Sequence, residues 1–270
     1  MMARTLVWFS CGAASAVVAK LLAGEADDAG RMSDGSALEI VYIQPGRRGA
    51  TGAEHPDNAR FLADVERWTG RPIRVLCNDR YQDALDACLT RGFIKSDRGA
   101  LCTRELKIEV REGYQRPDDV HAFGYTLDEQ ARADRFAERN PELRTRWPLI
   151  EHGLDKADCL GLLFREGIEI PVMYRQGYDH NNCIGCVKGG MGYWNRIRRD
   201  YPEVFARWAH AERLIGASVL KEDVEVEGRR TSRPVYLDEL APDRGRMEDE
   251  PPISCGLTCQ GLSLTRPRGR

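Results

Sequence analysis

Neither sign of charge dominates this chain: 40 Lys and Arg residues face 42 Asp and Glu, a formal net charge of −2. That balance excludes attachment to nucleic acid through bulk positive charge. No run reaches the roughly 20 consecutive apolar residues that span a bilayer. The apolar stretch 6–22 follows Arg4, yet Ser10, Gly12, Ser15 and Lys20 interrupt it and no small-residue cleavage pattern closes it. It does not read as a secretory leader, so a cytoplasmic protein with no membrane partner is expected. Internal repeats and long low-complexity tracts are absent from the sequence, which excludes a solenoid or a fibrous array. The nine cysteines are an odd number. In a chain without a leader they point to metal or redox chemistry and away from a disulfide framework.

What is present is ordinary globular material, 42% hydrophobic and 30% charged over 270 residues, enough for one large α/β domain or one domain with an appendage. Apolar runs at 5–9, 38–43, 73–77 and 120–125 read as strands. Helical patterns at 16–23 and after His55-Pro56-Asp57-Asn58 separate them, the second with Phe61, Leu62, Val65 and Trp68 at helical spacing. Strands alternating with helices predict a doubly wound, mostly parallel sheet. Ligands of such sheets sit beyond the carboxyl ends of the strands, where Ser10, Gln44, Asn78 and Gly124 fall. The expected division is an α/β core over 1–145, a helical region over 146–243 and a mobile, cysteine-containing tail over 244–270. In the second region 171–177 reads as an extended link and 193–214 as one long helix.

Two stretches carry chemistry. Ser10-Cys11-Gly12-Ala13-Ala14-Ser15 joins the first strand to the first helix. Small residues there let an anion approach backbone N–H groups at a helix N-terminus, and the two serines add hydroxyls. The loop is neither GxxxxGK[ST] nor GxGxxG, which disfavours the usual P-loop and dinucleotide readings. Farther on, His180-Asn181-Asn182-Cys183-Ile184-Gly185-Cys186-Val187-Lys188 places two thiols three residues apart in a glycine-containing turn, able to aim both sulfurs at one point for metal binding or redox exchange. His180 reads as a loop cap or a ligand. Cys11, Cys77, Cys88 and Cys159 lie in apolar patterns and read as small buried hydrophobes. Lys107, Lys188 and Arg132 can face phosphates and lower the pKa of a nearby thiol. Arg196, Arg198 and Arg199 form a local basic patch.

In the order in which they occur, several segments resemble the phosphoadenosine phosphosulfate (PAPS) reductase family of the adenine-nucleotide α-hydrolase-like (PP-loop) superfamily. Residues 10–17 resemble its modified PP-loop. Leu101-Cys102-Thr103-Arg104-Glu105-Leu106-Lys107 is similar to its Cys-x-x-x-x-Lys segment, and 124–132 to its glycine, acidic pair and arginine. Trp147-Pro148-Leu149-Ile150-Glu151 with Lys156-Ala157-Asp158 resembles a further motif, and Ser254-Cys255-Gly256-Leu257 its Glu-Cys-Gly-Leu end. The sequence departs from the family at five positions, two of them in the last motif, whose family form is Glu-Cys-Gly-Leu-His: Ser254 stands for the Glu and Thr258 for the His. Ala14 stands where ATP-activating relatives carry Asp, Thr126 where the family has an arginine, and Cys102 is single where cluster-bearing members have a pair.

The resemblance implies the superfamily's fold and a sulfonucleotide (PAPS or adenylyl sulfate) reductase. An adenine nucleotide would bind at Ser10, Cys11, Gly12, Ala13, Ala14, Ser15, Gln44 and Gly124, with Lys107, Arg132 and Lys188 nearby. Cys255 would be the nucleophile, and a thiol donor such as thioredoxin or glutaredoxin the reductant. It also implies that Cys102, Cys183 and Cys186 converge, with Cys259, Cys255 or an external group as fourth ligand, on a 4Fe–4S cluster; a tetrahedral zinc site is the alternative. A second reading is an ATP-dependent sulfur transferase using such a cluster on a nucleic acid or a metabolite. A third is a non-enzymatic nucleotide- or metal-binding module. A homodimer is compatible with each.

Overall fold

Arg4–Phe9 forms β1, and all six of its residues are buried, as a strand covered on both faces requires. The computed structural model describes residues 3–49, 53–181, 183–226, 228–251 and 253. The chain divides into two compact units that interleave in sequence. One comprises Met1–Gln44, His55–Cys77 and Val110–Asn181; the other comprises Pro45–Glu54, Asn78–Glu109 and Asn182–Arg270. Residues 146–181 therefore share a unit with the strands.

The first unit is α/β. Its strands are β1, β2 (Ala37–Gln44), β3 (Ile73–Cys77), β4 (Val120–Ala122) and β5 (Arg144–Arg146). They form one parallel sheet in the order β3-β2-β1-β4-β5. Strand order reverses between β1 and β4, the arrangement of a doubly wound sheet. Helix α1 (Ala13–Glu25) turns Ala13, Ser15, Ala16, Val17, Val18, Ala19 and Leu22 inward. These residues are mostly small, so the helix packs closely on Val7, Phe9, Ile40 and Tyr42. Helix α2 (Asn58–Thr69) adds Phe61 and Val65 to the same core and stops at Gly70, which takes a left-handed φ of 66°. Helix α3 (Gln130–Arg139) buries Ala133 and Phe136. Helix α4 (Lys156–Arg165) begins at a capping box between Asp155 and Asp158 and buries Cys159 and Leu163. Each fully buried Leu or Phe of this core contributes about 1.5–3 kcal/mol. Arg4 is held inside by Asp119, with Nε donating to Oδ1 at 3.0 Å and Nη2 to Oδ2 at 2.6 Å.

In the second unit the helix Ala84–Arg91 is capped by the Asp83 carboxylate, which accepts from the Asp86 amide. The ribbon Lys95–Ser96/Gly99–Ala100 leads into the helical turn Leu101–Thr103 and a π turn over Arg104–Ile108. The single helix expected over 193–214 is instead two, Met191–Asp200 and Pro202–Ile215. Pro202 cannot donate a backbone hydrogen bond, and the residue before it is driven out of helical geometry, Tyr201 lying at φ −140°, ψ 64°. The two helices share a core of Trp194, Phe205 and Trp208 in edge-to-face contacts. The hairpin Leu220–Val226/Arg229–Val235 follows. The stretch expected as an extended link, in the first unit, contains a short helix, Val172–Arg175. Among the described residues no helix is long and apolar enough to cross a membrane.

Candidate nucleotide and thiol sites

The loop after β1 is knit by its own serines. Ser15 Oγ accepts from the Ser10 amide at 3.0 Å, lies 3.1 Å from Ser10 Oγ, and donates to the Gly12 carbonyl at 3.0 Å. Its hydroxyl therefore serves the loop's shape, while Ser10 is exposed. Between them Cys11 adopts φ 55°, uncommon for any residue but glycine, with its side chain fully buried. Helix α1 is preceded by Gly12 at its N-cap, which provides no side-chain cap, and its first turn carries no acidic residue. First-turn amides have no acceptor within the helix, and the helix dipole adds positive potential there. An N-terminus of this kind is favourable to an anion, although the Ala13 amide is already bonded to the Tyr174 hydroxyl.

Two further segments pack against the loop. Gly124, two residues past β4, lies so near the loop that a Cβ on it would stand 2.9 Å from Ser15 N and 3.0 Å from Ser15 Cα; only glycine fits at that approach. Asn181 donates from Nδ2 to the Cys11 carbonyl and to Asn58 Oδ1, both at 2.7 Å, and is itself buried. Tyr174 reaches under the loop, its hydroxyl 3.3 Å from where a Gly12 Cβ would be. Burial raises the Tyr174 pKa, and the amides of Ala13 and Asn181 only partly offset this. Sequence patterns gave no signal for Asn181 or Tyr174 as loop supports, because their loop partners, the Cys11 carbonyl and the Ala13 amide, lie more than 150 residues away in the chain.

On the same side, Thr126 and Glu129 form a capping box before α3. The Arg132 guanidinium lies 4.5 Å from the Tyr125 ring centre and pairs with Glu129. Lys156 Nζ donates to the Asp179 carbonyl at 2.6 Å. Next along the chain, the half-buried His180 has its pKa lowered, first by burial and then by Lys156, with Asp179 and Glu129 opposing and Arg132 reinforcing. Gln44 ends β2 at the same carboxyl edge of the sheet.

The cysteine turn belongs to the second unit. Gly185 takes φ 74°, and a Cβ there would lie 2.8 Å from Val204 Cγ1 and 3.1 Å from the Trp208 ring. Tyr193 Oη accepts from the Cys186 amide at 2.9 Å and donates to the Cys183 carbonyl at 3.0 Å, so a single hydroxyl fixes the turn. The Lys95 ammonium donates to the Val187 carbonyl. Burial lowers its pKa, the Cys186 and Cys102 thiols oppose this, and Lys221 and Lys188 add to it. Cys102 and Cys186 thus both lie within electrostatic reach of one amine. Lys107 stands 3.8 Å from Glu54. Cys102, Cys183 and Cys186 are in no disulfide. Among the described residues no group of three or more His, Cys, Asp or Glu side chains is arranged to hold a metal ion. Cys255 and Cys259, the other thiols of the expected set, lie outside the described residues.

Elsewhere, burial raises the pKa of the Cys88 thiol strongly and pushes that of Cys159 up to about 12, which marks both as inert packing thiols. The basic patch is engaged within its own unit. Arg198 donates to the carbonyls of Leu237 and Leu240 at 3.1 and 2.7 Å, and Arg196 and Arg199 pair with Asp200.

No family model matches the chain. It is 28% identical over 182 residues to an uncharacterized 37.8 kDa protein encoded in the gpa 5′ region of Escherichia phage 186, an alignment covering 62% of this chain and 51% of that protein. It is 25% identical over 189 residues to an uncharacterized protein of Methanocaldococcus jannaschii, covering 66% of this chain and 37% of the relative. The chain thus spans about half, or less, of the relatives it matches.

Proposed function

We propose that the sheet unit binds an adenine nucleotide at the 10–15 loop and that the chain reduces the sulfuryl group of an adenylyl sulfate. The observation that carries the nucleotide half is the loop itself. A small-residue turn opens a helix N-terminus at the strand-order reversal, with Gly124 pressed against Ser15. Nucleotide phosphates bind at such points in open parallel sheets. The sulfur half rests on the order of the motifs at 10–17, 101–107, 124–132, 147–158 and 254–257.

In the proposed reaction the loop amides hold the nucleotide phosphate, and Arg132, kept in place by Tyr125 and Glu129, balances its charge. The Cys255 thiolate attacks the sulfate sulfur. The new S–S bond replaces the sulfur–oxygen bond, and the nucleotide monophosphate leaves with that electron pair. A dithiol donor of the thioredoxin class then attacks Cys255 Sγ and expels sulfite. The donor's second thiol resolves the mixed disulfide, so both reducing electrons come from the donor. No step is routed through a metal cluster.

The test is incubation with sulfur-labelled adenylyl sulfate and a dithiol reductant. Labelled sulfite from the wild type and none from Cys255→Ser is the expected result. No sulfite from either protein, with pyrophosphate released from ATP in the presence of a nucleic-acid acceptor, would replace this reading with that of a sulfur transferase.

A further inference from the structure

The helix Met191–Asp200 follows the cysteine turn, and a later stretch of the same unit is stitched along it in the opposite direction. Near the helix C-terminus, Arg198 donates to the Leu237 and Leu240 carbonyls at 3.1 and 2.7 Å. One turn earlier, Asn195 Nδ2 donates to the Ala241 and Arg244 carbonyls at 2.9 and 2.7 Å. At the helix N-terminus the Glu250 carboxylate accepts from the Gly192 amide at 2.5 Å and from the Tyr193 amide at 3.2 Å. These first-turn amides have no acceptor within the helix, and a carboxylate is favoured at that end of its dipole. Two glycines make room for the contact. A Cβ on Gly190 would run into the Glu250 carboxylate, and one on Gly192 into the backbone of Arg246 and Met247. The neighbouring acids, Glu248 and Asp249, lie 4.0 and 3.6 Å from Arg246 instead. Tyr193 joins this strap to the turn: its amide meets Glu250, and its hydroxyl meets the Cys183 carbonyl and the Cys186 amide. The strap thus runs from the far end of the helix to the cysteine turn and is clamped there by one side chain. Cys255 follows five residues after Glu250, a reach of at most about 18 Å.

We infer that Glu250 is a positioning residue for Cys255: its clamp on the helix N-terminus fixes the point from which that thiol searches, at the end of the helix next to Cys183 and Cys186. The inference rests on the reading of Cys255 as the nucleophile. Glu250 itself makes and breaks no bond in the reaction. Without it, the last peptide group held by a side chain of the helix is that of Arg244, eleven residues before Cys255 instead of five. The effective concentration of a tethered group falls as roughly the −3/2 power of linker length, so losing the clamp lowers it about threefold.

The test mixes the full chain with saturating adenylyl sulfate and no reductant, and follows the S-sulfocysteine formed on Cys255 by mass spectrometry. Glu250→Ala is expected to form this adduct about threefold more slowly, with its affinity for adenylyl sulfate unchanged. Glu250→Gln keeps an acceptor oxygen on the same stem and should recover most of the rate, while Glu248→Ala should match the wild type. A Gly-Ser insertion after Pro251 that roughly doubles the linker should slow the adduct about threefold with Glu250 in place; a merely structural role for Glu250 does not predict that. Hydrogen exchange in peptides covering 189–200 and 241–250 should rise in Glu250→Ala and not in Glu250→Gln. Equal adduct rates in the wild type and Glu250→Ala overturn the positioning role and leave the reductase standing. No adduct in the wild type overturns the reductase reading, and Glu250's part in the reaction with it, even where exchange shows the clamp to hold.

Discussion

In the sheet unit the deepest titratable ring is His121, which accepts from Trp8 Nε1 at 3.0 Å and is stacked between Trp8 and Phe123. In the other unit a fully buried carboxylate is that of Glu212, which accepts from the Val219 and Leu237 amides. Both are held away from water with no ion pair among the described residues, and burial pushes both toward the neutral form. Because one is a base and the other an acid, the consequences are opposite. Burial, helped by Arg111, lowers the His121 pKa to about 4. Burial, against the pull of the two amides, raises that of Glu212 to about 7. The sheet unit therefore weakens toward acid and the other unit toward base. The sheet unit also buries a true pair, Arg4–Asp119, and there the bond to Asp119 raises the Arg4 pKa.

That contrast can be broken most severely at the pair. Asp119→Ala leaves Arg4 buried without its main partner and is expected to cost about 3–5 kcal/mol in urea unfolding. A cost under about 1 kcal/mol would mean that Glu39 and the Tyr114 carbonyl, its other acceptors, suffice alone.

The two single groups sharpen the comparison. For Glu212 the unfolded chain ionises near 4.5 while the fold holds out to about 7. Stability is full below 4.5 and falls as pH rises through 7, by on the order of 3 kcal/mol. Glu212→Gln should flatten this slope, as read by chemical denaturation across that window. For His121 the sign reverses. Stability is present above 6.5 and is lost as pH falls toward 4, again on the order of 3 kcal/mol. His121→Gln, which keeps an acceptor for Trp8, should remove the acid slope and leave the alkaline one. Hydrogen exchange should place the alkaline loss in amides near 212–237 and the acid loss in β1 and β4; the reverse pattern would sink the comparison.

A smaller effect is expected at the site. Gly124→Ala forces a methyl group against the Ser15 backbone and should cost about 1–3 kcal/mol. The nucleotide binding proposed for the 10–15 loop should suffer more than stability, since the backbone that must shift belongs to that loop. Equilibrium binding of AMP set against the urea midpoint separates the two.

Legibility from sequence followed the reach of the forces. β1 announces itself because a doubly covered strand is a continuous apolar run, and β2, β3 and β4 because apolar residues dominate them even where Glu39, Arg74 and His121 interrupt. β5 does not, since Arg144-Thr145-Arg146 is three residues long and polar. The hairpin at 220–235 is likewise exposed along most of its second strand. The break at Tyr201 was written in Pro202, and the apolar spacing on either side hid it. At the candidate site the small-residue loop and Gly124 were readable, being local requirements of backbone approach. Asn181 and Tyr174 were not, because each depends on a partner more than 20 residues away.

By itself, the sequence determined the periodicities, the small residues where chain meets chain, and the supply of thiols and charges, since these are properties of neighbours along the backbone. The tertiary structure alone decided which carbonyl each side chain bonds and which ring or carboxylate loses its water. It also decided that the serine hydroxyl at 15 serves its own loop. Hydrogen bonds and desolvation act over a few ångströms of space, and only the packed chain defines that distance.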